Sequence, residues 1–264
     1  MKKLASLLYM GSLSMLIFAQ SPVERLENSP RHQEWVKLTD DDRSLDAFLV
    51  YPESNKKATG IIVIHENRGL NDWARSMTDQ LAENGFIAMA PDLLSGSGPG
   101  GGKTSDFPNS DAAREALYQL DPEQITSDLN ATFDYLKKLK SCNGKIVVIG
   151  FCWGGSQTFR YATNQSELEA SFVCYGTAPA DGAGMEQINA PVYGFYGGND
   201  ARVNATLETT KSQMESADKT FDPVIYPGAG HGFMRSGEST DATAQNKQAR
   251  SDAWKRLLGI LGSL

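Results

Sequence analysis

Apolar residues fall into short runs, separated by stretches in which they recur every three or four positions. Ile61-Ile62-Val63-Ile64 and the core of Lys145–Ile149 are continuous apolar runs, the pattern of strands buried on both faces. Phe86–Ala90, Ser171–Tyr175, Val192–Tyr196 and Pro223–Tyr226 read as further strands. Val36–Leu38 and Leu45–Tyr51 read as an opening antiparallel pair, with Asp40-Asp41-Asp42 as its turn. The spacing predicts helices over Asn71–Asn84, with Gly85 placed as a C-cap, and over Ser110–Leu120 and Pro122–Lys140. It predicts three more over Trp153–Thr163, Thr206–Ser216 and Gln245–Leu261. Strands alternating with helices imply an α/β class, a mainly parallel sheet with helices on both faces. No repeat and no dividing linker is visible, so 21–264 reads as one domain. The low-complexity stretch Ser95–Gly102 reads as a mobile loop beside the carboxyl edge of the sheet, where such folds bind ligands.

Residues 1–20 stand outside this pattern. Lys2 and Lys3 precede a mostly apolar stretch, Leu4–Phe18, and Ala19 offers a small residue for cleavage. This is the form of a secretory signal, and the stretch is too short and too broken by Gly11, Ser12 and Ser14 for a spanning helix. The expectation is export to a periplasmic or extracellular space, with no stable membrane association after cleavage. The net charge of −7 argues against nucleic acid as a partner, because an acidic surface repels phosphates. Three cysteines in 264 residues are no disulfide framework. Cys142 and Cys174 are predicted at opposite ends of neighbouring strands, too far apart to bridge.

One motif carries most of the chemistry. Gly150-Phe151-Cys152-Trp153-Gly154-Gly155 follows an apolar strand and opens a helix. It is the G-x-nucleophile-x-G elbow with cysteine in place of serine. The helix N-terminus behind Cys152 favours negative charge on sulfur. A small buried cysteine among packing glycines would look the same in isolation. Two downstream partners decide between these readings. Asn199-Asp200 follows the strand Val192–Tyr196, and Gly230-His231-Gly232-Phe233 follows the strand ending at Tyr226. Both lie past carboxyl ends, on the edge that carries Cys152, in the order nucleophile, acid, histidine of an α/β-hydrolase. His65-Glu66 begins like a zinc-protease motif, but Gly69 stands where the second histidine belongs, and no metal set is visible. Gly102-Lys103-Thr104 ends like a phosphate loop, but Ser97 replaces its opening glycine and Pro108 stands at the helix start.

With these motifs the chain resembles the dienelactone hydrolase family from about Leu45 to the C-terminal helix. The resemblance rests on the cysteine elbow, on Asp200 and His231, on His65-Glu66-Asn67-Arg68-Gly69 and on Gly230-His231-Gly232-Phe233-Met234-Arg235. It implies an α/β-hydrolase fold, a Cys152–Asp200–His231 triad, and Glu66 as the group that takes the thiol proton when substrate binds. It also implies that Arg235 and Arg114 clamp a substrate carboxylate. Asn67-Arg68 departs from the apolar residues of well-known members, so the pocket wall is expected to differ.

The reaction expected on this basis is hydrolysis of an ester or lactone, carboxylated by resemblance, through a thioester on Cys152, with no cofactor. Backbone N–H groups of Trp153 and Asn67 would hold the oxyanion. Trp153, Phe233 and Tyr118 are candidates for either pocket wall or core. Competing readings are a general carboxylesterase or thioesterase, a non-catalytic binding protein on the same scaffold, and a thiol redox sensor. The sequence leaves the oligomeric state open.

Overall fold

The computed structural model describes residues 20–40 and 43–264. All but the last residue of the predicted signal, and Asp41-Asp42 of the predicted first turn, lie outside the described residues. Eight strands form one sheet: β1 (Gln33–Asp40), β2 (Arg43–Val50), β3 (Ala58–Ile64), β4 (Ile87–Pro91), β5 (Cys142–Phe151), β6 (Ala170–Cys174), β7 (Val192–Gly197) and β8 (Phe221–Tyr226). Their order is β1-β2-β4-β3-β5-β6-β7-β8. β1 pairs antiparallel with β2, and β2 with β4, while every pairing from β4 to β8 is parallel.

The helices are α1 (Pro22–Glu27), α2 (Asp72–Glu83), α3 (Ser110–Leu117), α4 (Pro122–Lys138), α5 (Trp153–Ala162), α6 (Ala201–Asn204), α7 (Leu207–Ser216), α8 (Phe233–Ser236) and α9 (Ala244–Leu261). Strand alternation divides the core between the two faces of the sheet. Ile61 and Val63 of β3 join Val147 and Ile149 of β5 under α2 and α9. Ile62 and Ile64 join Ile146 and Val148 under α3, α4 and α5. The continuous apolar runs are therefore buried on both sides, as their composition predicts. β8 begins at Phe221, two residues before its predicted start, because Pro223 lies on an edge strand where a missing N–H is tolerated.

The order of strands also locates the site. The chain runs from β3 outward to β4, then returns past β3 to β5. The crossovers on the two sides of β3 diverge, and a crevice opens at the carboxyl ends of β3 and β5. His65 and Glu66 follow β3, and Cys152 follows β5.

The glycine-rich segment after β4 is more ordered than its composition suggests. Gly98 and Gly102 form a bridge, Lys103 N–H donates to Asp106, and Thr104 donates to the buried Asp92 through both its N–H and its hydroxyl. These bonds tie to the sheet edge what the sequence presents as a mobile loop.

Candidate active site

Cys152 joins β5 to α5 at φ 57° and ψ −115°, a conformation that side chains rarely adopt. Its N–H donates to the Cys174 carbonyl at 3.0 Å, which ties the elbow to β6. The glycines around it are required by backbone crowding. A Cβ on Gly150 would collide with the Gly154 carbonyl, and one on Gly154 with the carbonyls of Ile64 and His65. A Cβ on Gly155 would sit 2.6 Å from the Cys174 carbonyl oxygen. Helix α5 thus starts in contact with the ends of β3 and β6, and only glycine permits that approach. Trp153 opens α5, so its N–H has no partner within the helix and is placed beside the sulfur.

The acid and the histidine come from loops held to each other. Asn199 N–H donates to the Ala229 carbonyl at 2.9 Å, and its amide reaches the Gly228 carbonyl at 3.0 Å. Gly230 N–H donates to Asn246 of α9 at 2.9 Å. Between these anchors His231 Nδ1 lies 2.5 Å from Asp200 Oδ2, and its Nε2 lies 3.1 Å from Cys152 Sγ. Asp200 is buried and also caps α6 through the Val203 N–H. The His231 pKa is pushed up to about 9. The bond to Cys152 raises it most, burial opposes, and Asp200 adds to the rise. The imidazolium is therefore the favoured form beside the sulfur at neutral pH.

Glu66 is buried and both of its oxygens are engaged. Oε2 accepts from Arg235 Nε at 2.7 Å, and Oε1 accepts from the Tyr175 hydroxyl at 3.2 Å. Cys152 Sγ faces His231, so in this structure Glu66 holds Arg235 and Tyr175 while His231 holds the thiol. Tyr175 follows β6 at φ 41° and presents its ring edge to His231, with centroids 5.0 Å apart. At the end of the predicted strand Ser171–Tyr175 a tyrosine has the character of core; its position one residue past β6, on the carboxyl edge, is the signal that marks it as a site residue. His65 is wholly buried. Its Nδ1 lies 2.9 Å from the Glu66 carbonyl and its ring stacks on Trp153 at an interplanar angle of 9°. Burial lowers its pKa, which keeps the ring neutral, with Nδ1–H as donor to that carbonyl.

A cavity of about 410 Å³ opens over Cys152. Trp153, Tyr118 and Tyr175 line it, with Tyr118 largely exposed at its mouth. Three of the predicted substrate-binding residues are not among those that line it. Phe233 has no exposed surface and packs on Tyr175 and Tyr226, so it belongs to the core. Arg114 runs back along α3 towards Asp111, 3.6 Å away, because a helical side chain leans towards the N-terminus. Arg235 lines a separate cavity of about 870 Å³, beside Trp73 and Arg250. Asn67 follows Glu66 and is partly buried at the end of β3. Cys142 and Cys174 are free and buried, and burial pushes the Cys174 thiol up. Among the described residues no cluster of three His, Cys, Asp or Glu side chains is placed to hold a metal, and no helix is long and apolar enough to cross a membrane.

The family model for the dienelactone hydrolase family matches residues 45–264. A protein of Saccharolobus solfataricus, provisionally named carboxymethylenebutenolidase, is 31% identical over 84% of this chain and 95% of its own. A Methylorubrum extorquens protein with the same provisional name is 29% identical over 84% of this chain and 78% of its own. Among solved structures, a Klebsiella pneumoniae protein, provisionally a dienelactone hydrolase, superposes with a TM-score of 0.77 at 22% identity, covering 89% of this chain and 99% of its own. A dienelactone hydrolase-like promiscuous phosphotriesterase from metagenomic libraries gives 0.74 at 21% identity, covering 89% and 98%. These two likenesses show the α/β-hydrolase fold.

Proposed function

The chain belongs to the dienelactone hydrolase family and is a carboxylic ester hydrolase; we propose that it cleaves an ester or lactone through Cys152 and a thioester intermediate. The observation that carries this reading is the continuous relay from Cys152 Sγ to His231 at 3.1 Å and on to Asp200 at 2.5 Å.

The reaction follows from that relay. The sulfur, held as thiolate beside the imidazolium, attacks the carbonyl carbon. Backbone N–H groups of Trp153 and Asn67 receive the developing oxyanion; one such donor is worth about 10²–10³ in rate. The carbon–oxygen bond breaks as His231 Nε2 gives its proton to the leaving oxygen. An ester releases an alcohol, whereas a lactone keeps its new hydroxyl on the tethered acyl chain. Water then attacks the thioester, His231 takes one of its protons, and the sulfur departs to release the acid. Asp200 holds the imidazole in the tautomer and orientation that both steps need. The electron pairs and protons balance without an external oxidant or cofactor.

The test compares hydrolysis of a dienelactone and of p-nitrophenyl acetate by the wild type and by Cys152→Ala. The variant is expected to lose at least about 10³-fold in kcat/KM on both substrates. Equal rates for the two proteins exclude the mechanism.

A further inference from the structure

The polar side chains on the wall of the cavity over Cys152 differ in what they have left to offer. Ser156 and Thr177 satisfy each other: their hydroxyls lie 3.2 Å apart, and the Thr177 N–H donates to Ser156 Oγ at 2.9 Å. Arg202 is exposed, so water competes for its guanidinium. Gln157 stands apart from these. It is partly buried in the second turn of α5, and its Oε1 accepts from Arg160 Nε at 2.8 Å. Only the amide oxygen can face a guanidinium donor, so this bond fixes which way round the carboxamide stands. The Nε2 hydrogens are without a partner among the described residues.

The arginine behind Gln157 is itself unusual. Arg160 Nη1 donates to Thr126 of α4 at 2.7 Å, its Nη2 is buried without a partner, and among the described residues no carboxylate pairs with it. Burial lowers its pKa and Asp121 opposes this only in part, yet a guanidinium stays charged at neutral pH. A desolvated cation without an ion pair costs stability, and what this one holds is the Gln157 oxygen. Its charge behind that oxygen also polarises the amide and strengthens the N–H groups as donors. We propose that Gln157, oriented by Arg160, selects substrates that carry an uncharged acceptor oxygen, such as an ether or a second carbonyl, away from the scissile ester. The amide offers the cavity donors only, and it has no charge of its own to offset the desolvation of an anion. Arg160 acts through Gln157 and is a positioning residue. This role rests on the ester hydrolase reading above and adds a feature of the substrate that the triad does not specify.

The test uses p-nitrophenyl heptanoate and its isosteres in which an ether oxygen replaces the methylene at the fourth, fifth or sixth carbon. An oxygen that far from the ester leaves the reactivity of the carbonyl nearly unchanged. The ether-to-alkyl ratio of kcat/KM is measured for the wild type, Gln157→Glu, Gln157→Leu and Arg160→Met. Gln157→Glu keeps the contact with Arg160 but has no hydrogen to donate. In the wild type the ratio is expected to peak at one oxygen position. At that position it is expected to fall about fivefold in Gln157→Glu and Gln157→Leu, mainly through a higher KM for the ether ester. In Arg160→Met, where the amide is free to turn over, it is expected to fall about twofold. A wild-type ratio that does not vary with oxygen position overturns the proposal, as does an unchanged ratio in Gln157→Glu. An unchanged ratio in Arg160→Met overturns the positioning role. Binding of the amides of the same acids to Cys152→Ala by calorimetry separates this from the mechanism. An ether-to-alkyl affinity ratio that falls about fivefold when Gln157→Glu is added supports the role even if turnover does not depend on Cys152. An unchanged affinity ratio overturns it whatever the turnover shows.

Discussion

The Glu66 carboxylate accepts a hydrogen bond from Arg235 Nε at 2.7 Å, and the guanidinium borders a different cavity from the one above Cys152. Glu66 is buried, whereas the Arg235 side chain is 51% exposed. Water therefore screens one partner, and the pair is worth more than a surface bridge but less than a fully buried one. A double-mutant cycle of Glu66→Gln and Arg235→Gln, read by thermal or urea unfolding, is expected to give a coupling of about 1 kcal/mol. A coupling near zero would mean that the two side chains part in solution.

The state of His231 is open to titration. Its folded-state pKa of about 9 lies above the ordinary 6.5. Below 6.5 the folded and unfolded chains both hold the proton, so the stabilising contribution is complete there. It declines as the pH rises from 6.5 and is lost once the pH passes about 9, where the folded form also deprotonates. The first cause of the rise is Cys152, with Asp200 behind it. In NMR titrations, Cys152→Ala and Asp200→Asn are each expected to bring the His231 pKa down towards its ordinary value. A wild-type imidazole that titrates near 6.5 would show that no thiolate–imidazolium pair forms.

The cysteine elbow was legible because backbone crowding dictates its glycines, and such crowding leaves a mark in the sequence. Asp200 and His231 were legible because each follows a short run of aromatic and β-branched residues, Val192–Tyr196 and Val224–Tyr226, whose carboxyl end can be placed. The arginines were a different matter. Whether Arg114 faces the cavity depends on a side-chain direction within one turn of α3, which residue type does not reveal. Arg202 and Arg235 lie on α6 and α8, each four residues long, too short to establish a helical period. Phe233 and Tyr175 show the same ambiguity among aromatics. Both follow the carboxyl end of a strand, yet one is core and the other lines the cavity.

The crowding at the elbow makes a stability prediction with an internal control. An alanine at Gly154 would drive its Cβ into the carbonyls of Ile64 and His65, and Ile64 is held in the sheet opposite Gly150 of β5. Overpacking of this kind costs about 1–3 kcal/mol. Gly259 lies in α9, where a Cβ meets nothing within 4 Å. Gly259→Ala is expected to be stabilising by about 0.5–1 kcal/mol through helix propensity. Chemical denaturation of the two variants should therefore move the midpoint in opposite directions. A neutral Gly154→Ala would mean that α5 can shift away from the sheet.

His65 ties the two proposed oxyanion donors to one ring. Its Nδ1–H reaches the Glu66 carbonyl at 2.9 Å. That carbonyl shares a rigid peptide plane with the Asn67 N–H, and in a trans peptide the two point in opposite directions. Fixing the carbonyl therefore aims the N–H. The same ring stacks on Trp153, whose N–H is the other donor, with centroids 5.7 Å apart. Replacing the ring by leucine removes the bond and leaves the peptide free to tilt. His65→Leu is expected to lower kcat about tenfold with little change in KM, less than the 10²–10³ for outright loss of a donor. His65→Gln, whose amide can donate to the same carbonyl, is expected to recover part of the rate. Because the buried ring is neutral, the pH profile of His65→Gln should keep the shape of the wild type. A loss confined to KM, or no difference between the two variants, would show that the ring only fills space beneath Trp153.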